Sequence, residues 1–466
     1  MGYNKIVLKS FVQQIRKGDF MKRTLFIVFA TCSILATTSF NVYANWEAAG
    51  SNWIYKENDG SIVKNEWRKG VDGKYRWLNS DGFMEVDSWV NSGESYVDKD
   101  GIRVENTWLK VTSDNTTDWY HFDNKGIKEV SKWRKANDKW FYLGDDGKML
   151  RGWIDDGTYY CDKNGVMVTG WKYLTPVDYV PKDDTAPGNE STDGNVWYFF
   201  GANGKKFVAS KSGGVEEYKI NGIRYCFDET GAMLTGWVNI AGTSSSVAKI
   251  TDFRYYNEDG SQRTGWYSLR PPARIMETYD NEVEWFYFGT DGMPKASSKD
   301  RLKVNDFVKI SGRTYIFGSN GVPIYGMIKV YTSGDNYDIY YLGDTTQRNV
   351  QKGKFNIVES SGDTIEYYFE TSGRGLTGVK DDKLYYKGRL QTSQDEGKYK
   401  IVTISEGSKT RNYVVTKSGK VVKNRTFKNE DKVELKTDSS GMLIKYDGNA
   451  VDQNARFSEP DEPEIG

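Results

Sequence analysis

From Asn45 onward the chain alternates in short bursts. Ring-bearing and apolar residues come in runs of three to five, whose alternate members fall on opposite strand faces, and polar turns rich in Asp, Asn and Gly separate the runs. The clearest copy runs from Trp133 through Trp140-Phe141-Tyr142-Leu143 to Gly147, and the next from Trp153 through Tyr159-Tyr160-Cys161 to Gly165. Gly-Trp pairs open units at Gly152-Trp153, Gly170-Trp171, Gly236-Trp237 and Gly265-Trp266. Closing glycines stand at Gly60, Gly82, Gly101, Gly126, Gly147, Gly165, Gly204, Gly231, Gly260, Gly292 and Gly321, and weaker copies run on to Gly441, about sixteen units in all. Period-two alternation predicts strands, and the Asp-Gly and Asn-Gly dipeptides predict tight turns, so each unit reads as a hairpin. One hairpin cannot bury its own apolar face and is marginal alone. Stacked hairpins bury successive rows of rings. The expected fold is therefore all-β, a β-hairpin solenoid that is regular in its first half and degenerate with insertions in its second. Alternation also divides the labour: Trp140 and Tyr142 share one face and Phe141 and Leu143 the other, so one row can fill the interior while the second lines grooves.

Five stretches follow. Residues 1–44 carry a leader, 45–172 hold regular repeats, and 173–330 hold repeats with loop insertions such as 175–195 and Pro271-Pro272. Residues 331–450 hold degenerate hairpin repeats, and 451–466 read as an acidic disordered tail. After Trp285 the sequence has no Trp, and the opening position becomes Met327 and Val379. Met21-Lys22-Arg23, an apolar run to Ala36 and Val42-Tyr43-Ala44 form a signal peptide cleaved after Ala44. Lys17-Gly18-Asp19-Phe20-Met21 reads as a translated ribosome-binding stretch, which makes Met21 the expected start. The C-terminal residues carry no sortase-type signal.

Composition changes the picture in one respect. Aromatics are 15% of the chain while hydrophobics of all kinds are only 38%, so rings must hold it together. Lys+Arg 64 balances Asp+Glu 64, which argues against a nucleic-acid partner. No segment beyond the leader is apolar enough to span a membrane. One His, His121, and no Gly-x-Ser-x-Gly elbow leave no hydrolase constellation. Cys161 and Cys226 fall on opposite strand faces and are not expected to pair. Asp98-Lys99-Asp100-Gly101 resembles the start of a calcium loop, but position twelve is Leu109, so a plain turn is expected. No cofactor or metal is expected.

The Gly-Trp openings, the aromatic strands, the Asp-x-x-Gly turns and the Thr169-Gly170-Trp171 and Thr264-Gly265-Trp266 junctions resemble the cell-wall-binding repeat family, also called choline-binding or glucan-binding repeats. The likeness covers 45–330 and, more faintly, 331–450. It implies a hairpin solenoid with ligand sites between successive hairpins. Each site takes the opening Trp, a strand ring of the same repeat and an aromatic of the next. Carried onto this chain, the boxes are Trp108 with Trp119; Trp133 with Trp140 and Tyr159; Trp171 with Trp197 and Tyr225; and Trp266 with Trp285. Trp46 with Trp53 and Trp67 with Trp77 follow. Trp89 with Tyr96, Trp153 with Tyr159 and Trp237 with Tyr255 carry Tyr at the second position. Any single Trp in such a stack serves packing as readily as binding; the expectation is that several of the pairs line grooves. Ring faces attract a quaternary ammonium by roughly 0.5–2 kcal/mol each and also stack on sugars. The function expected is that of a secreted, wall-associated, non-catalytic protein. It would bind choline-decorated teichoic acid or wall carbohydrate through many weak sites. The alternatives are an adhesin or toxin-like module for host or biofilm glycans, and a wall hydrolase.

Overall fold

Local backbone chemistry sets the hairpins. Asn137 and Asp138 both take positive φ, 48° and 61°, and join strands Lys132–Ala136 and Lys139–Leu143. Asn221-Gly222, Ser311-Gly312 and Asp381-Asp382 do the same elsewhere. Two consecutive left-handed residues make the type I′ turn, whose twist matches that of paired strands.

The computed structural model describes residues 45–113, 116–178, 194–210, 214–241, 248–279, 281–297, 301–393, 397–406, 409–452 and 454–465. The signal peptide and most of the 175–195 insertion lie outside them. Among the described residues there is no α-helix, and the strands form thirteen two-stranded antiparallel sheets, one of five strands and one of four. The fold is all-β, a β-hairpin solenoid within each of two compact units. One unit comprises the described residues to Lys132 together with Leu143–Met149; the other comprises Trp133–Tyr142 and Leu150 onward.

The Asp-x-x-Gly stretches do not join the two strands of a hairpin, as their composition suggests. They lead out of the second strand. Asp98 shows the arrangement: its Oδ1 accepts from the N–H groups of Asp100 and Ile102, both at 2.9 Å, and Gly101 N–H donates to its carbonyl at 2.8 Å. Asp123, Asp162 and Asp228 repeat it. The carboxylate is satisfied by backbone N–H groups, which is why these loops keep Asp.

The residue two past each closing glycine from Gly82 to Gly260 then stitches neighbours together. Its N–H donates to a strand carbonyl of the preceding hairpin: Met84 to Trp53, Arg103 to Tyr75 and Met167 to Trp140, each at 2.8 Å. Its side chain lies across the closing glycine of the following hairpin. A Cβ on Gly204 would stand 2.3 Å from the sulfur of Met167, and one on Gly231 would stand 2.7 Å from Cδ of Lys206. Those glycines are thus required twice, by a positive φ of 78° and 83° and by this crossing.

The interior is filled by one of the two rows that alternation separates. Leu78, Val97, Phe122, Leu143, Cys161, Phe200, Phe227, Tyr256 and Phe288 occupy equivalent strand positions and are all fully buried. Cys161 and Cys226 are free and buried, and burial pushes each thiol up to about 12.

The C-terminal region departs from simple repetition. Strands Gly353–Val358, Thr364–Phe369, Gly378–Lys380, Lys383–Tyr386 and Arg389–Leu390 join in the five-stranded sheet, and Tyr399–Glu406 pairs with Lys409–Thr416 over eight residues. The expected disordered tail is a correction: its described residues pack against this region. Ser458 forms a parallel bridge to Val402, and Ile465 packs on the Ile339, Tyr367 and Phe369 cluster. The acidic residues meet basic partners, Asp461 with Lys400 at 2.9 Å and Glu462 with Lys387 at 3.2 Å. Glu464 accepts from the Ser361 N–H at 3.0 Å. A run that looks solvating in isolation is ordered by charges elsewhere in the chain.

Candidate functional site: aromatic junctions between hairpins

The opening indoles Trp89, Trp133, Trp153, Trp171, Trp237 and Trp266 are half-buried, each held by a ring across its own hairpin and by a ring of the next. Trp133 lies 5.1 Å from Tyr142 and 5.1 Å from Tyr159. Trp171 lies 5.1 Å from Phe199 and 4.8 Å from Tyr225. Trp266 lies 5.2 Å from Tyr287 and 5.0 Å from Tyr315. Trp89, Trp153 and Trp237 repeat this with Tyr96 and Tyr120, Tyr160 and Tyr198, and Tyr255 and Phe286. Edge-to-face rings interdigitate positive edges with negative faces. Tyr159 and Tyr225 are the next-hairpin rings beside Trp133 and Trp171.

A second set of indoles behaves differently. Trp53, Trp119, Trp140, Trp197 and Trp285 are 37–50% exposed. Each stands two residues before the cross-strand partner of an opening Trp and shares its face. Trp197 reaches Trp171 at 6.4 Å. Trp46 packs directly on Tyr55 at 5.3 Å; it and Trp53 line one cleft of about 360 Å³ with Asp72, Arg76, Met84 and Asp100. Arg76 stands there where other junctions carry a next-hairpin ring, and it donates to both oxygens of Asp72 at 3.0 and 2.8 Å.

Trp67 and Trp77 meet in another geometry than the assigned one. They are direct cross-strand partners, 5.2 Å apart, so Trp77 replaces the Tyr142-type ring and Tyr75, half-buried, takes the place that Trp140 has in its own hairpin. Trp108 faces His121 at 5.2 Å across the strands, and His121 Nδ1 lies 2.8 Å from Glu129 Oε2. Trp153 pairs with Tyr160, while Tyr159 serves Trp133. Trp266 and Trp285 share a hairpin, but the next connecting residue is Pro323, which has no N–H to donate.

The stitching residue carries a signal that the aromatic pattern did not reveal. Where the acceptor carbonyl belongs to an exposed Trp, the donor is Met: Met84, Met149, Met167 and Met233 bond Trp53, Trp119, Trp140 and Trp197. Where the acceptor is Tyr75, Glu94, Thr158 or Arg224, the donor is Arg103, Lys128, Lys206 or Gln262. The basic ones reach the rings. Arg103 lies 4.3 Å over Tyr75 and 5.1 Å over Trp67. Lys128 lies 5.2 Å over Trp89, and Lys206 lies 5.0 Å over Trp153 and 5.3 Å over Tyr198. Two opening indoles are tied down further, Trp153 Nε1 to Thr175 O at 2.9 Å and Trp237 Nε1 to Arg270 O at 2.8 Å. A comparison of position two past each glycine with the strand start of the preceding unit would have separated these classes from sequence alone.

Fold and site together define a class, repeat proteins whose hairpin junctions present aromatic boxes. Within that class, a cell wall binding repeat model matches residues 131–149, 153–167 and 192–206. The chain is similar to a glucosyltransferase-S of Streptococcus mutans, 26% identical over 267 residues, which are 55% of this chain and 16% of that protein. It is also similar to a glucosyltransferase-I of Streptococcus downei, 24% identical over 421 residues, 87% of this chain and 22% of that protein. The chain thus spans about a fifth or less of these relatives' length. Among solved structures, the choline-binding domain of CbpL from Streptococcus pneumoniae matches 48% of this chain and 98% of its own, at 21% identity and a TM-score of 0.31.

Proposed function

We propose that this chain is a secreted, non-catalytic protein that holds a choline-bearing polymer of the bacterial wall, such as a decorated teichoic acid. The proposed sites are the junctions of Trp46, Trp53 and Met84; Trp108, Trp119 and Met149; Trp133, Trp140, Tyr159 and Met167; and Trp171, Trp197, Tyr225 and Met233. The carrying observation is that equivalent junctions of this same chain seat ammonium and guanidinium groups on their rings. The junction geometry therefore accepts a cation, and at the Trp-and-Met junctions the connecting residue is uncharged. A weakly hydrated quaternary ammonium fits such a face, at roughly 0.5–2 kcal/mol per ring. Three rings give a site near the millimolar range, about 4 kcal/mol. Several sites along one polymer then gain roughly 10²–10⁴ in avidity.

A second reading has its own support. Both curated relatives are named glucosyltransferases, and indole faces also stack on sugar rings, so an α-glucan polymer is the alternative ligand. Chromatography decides. Retention on choline-agarose with release by free choline is the expected result. Passage through that column with retention on immobilised α-glucan would replace the first reading by the second.

A further inference from the structure

We propose that Arg103, Lys128 and Lys206 are resident occupants of three junctions, each filling with its own cation the place where a neighbouring junction would take an external one, and so fixing which repeats bind. The inference rests on the proposed cation-binding function for its meaning. Its geometry stands independently.

Arg103, Lys128 and Lys206 share one structural address with Met84, Met149, Met167 and Met233. All give their backbone N–H to an equivalent carbonyl of the preceding hairpin, two residues before the cross-strand partner of its opening Trp. Arg103, Lys128 and Lys206 also cross the closing glycines Gly126, Gly147 and Gly231, as Met84, Met167 and Met233 cross Gly101, Gly204 and Gly260. The difference lies at the tip. Arg103 is the fullest case: its side chain is 15% exposed, and its guanidinium stacks on Tyr75 and Trp67 while bridging to Glu105 at 2.7 Å. Trp67 in turn meets Trp77. Burial against Trp153 and Tyr198 lowers the Lys206 ammonium from its ordinary value, as expected for a cation held at rings away from water.

Tethering explains why such an occupant wins. A group on a short flexible arm has an effective concentration in the millimolar range or above. That equals or exceeds what a millimolar-affinity ligand needs, and like-charge repulsion adds to the exclusion. The acceptor residue differs as well. Glu94 and Thr158 stand at two of these junctions where the Met junctions keep an exposed Trp.

The test uses the full chain and Arg103→Met, the residue its sister positions carry. Choline and methylguanidinium, the head group of arginine, are each titrated by calorimetry, and circular dichroism checks folding. Arg103→Met is expected to bind one more equivalent of each cation than the parent, in the millimolar range. Arg103→Lys should gain none, because a lysine refills the junction. Adding Trp67→Ala to Arg103→Met should abolish the gain. If Arg103→Met fails to fold, Arg103→Ala takes its place with the same expectation. A folded variant that binds no extra methylguanidinium overturns the inference, whatever the parent does with choline. Gain of methylguanidinium in a protein that nowhere binds choline sustains it while sinking the proposed function.

Discussion

Trp140→Leu separates binding from packing at one junction. Trp140 is 40% exposed, and its carbonyl rather than its ring carries the bond from Met167. The backbone stitch therefore survives the substitution. Leucine restores most of the buried apolar surface; a shortfall of roughly 40 Å² at 25 cal/mol/Å² costs about 1 kcal/mol. Loss of one ring face removes roughly 0.5–2 kcal/mol of cation attraction, a 2- to 30-fold rise in Kd for that site. Tyr325→Leu is the control, an exposed ring at 50% exposure away from the Trp-and-Met junctions. The assay is calorimetric titration with choline beside thermal melts. The expected result is that Trp140→Leu loses about one equivalent of measurable choline with a small change in melting temperature, and that the control loses none. Unchanged choline binding with a collapsed melting temperature would show that Trp140 is a packing residue and refute the box.

Three further outcomes follow from the geometry. Gly231→Ala must strain a φ of 83° and place Cβ 2.8 Å from the carbonyl oxygen of Phe207, whereas Gly265→Ala meets nothing within 4 Å; both pay about 1–2 kcal/mol for the left-handed backbone, so Gly231→Ala should melt distinctly lower. Cys161 and Cys226, with thiols pushed up to about 12 by burial, hold almost no thiolate at pH 8, so peptide mapping after alkylation should find both unmodified in native protein and both modified in denaturant. Gln391→Leu removes two hydrogen bonds to the backbone of Asp461, at 3.0 and 2.7 Å; at about 0.5–1.5 kcal/mol each, amide exchange across 458–465 should quicken roughly 5- to 150-fold. Unchanged exchange would mean that the salt bridges alone hold this segment.

The alternation of rings was enough to read the hairpins and to separate two rows of side chains, because side-chain direction in a strand depends only on parity; burial then shows which row is interior. Leu143 and Phe200 are buried and Trp140 and Trp197 exposed for that reason. What escaped the sequence depends on more than one repeat at a time. The Asp-x-x-Gly turn looks like a hairpin closure until the real closure, Asn137-Asp138, is seen beside it. Arg103 and Met84 look like unrelated surface residues until the stitch from each to the preceding hairpin aligns them. The 451–466 segment failed for the same reason: its charges read as solvating because Lys400 and Lys387 lie far away in the chain. Trp77 meets Trp67 as its direct cross-strand partner, a register that a spacing of ten residues does not state.

A crystal structure of the protein soaked in choline tests the central claim most directly. Trimethylammonium density against Trp133, Trp140 and Tyr159, and against Trp171, Trp197 and Tyr225, with none at the rings facing Arg103 and Lys206, is the predicted result. Indoles closed over by their own neighbours at all of these junctions, with choline absent or scattered elsewhere, would contradict it.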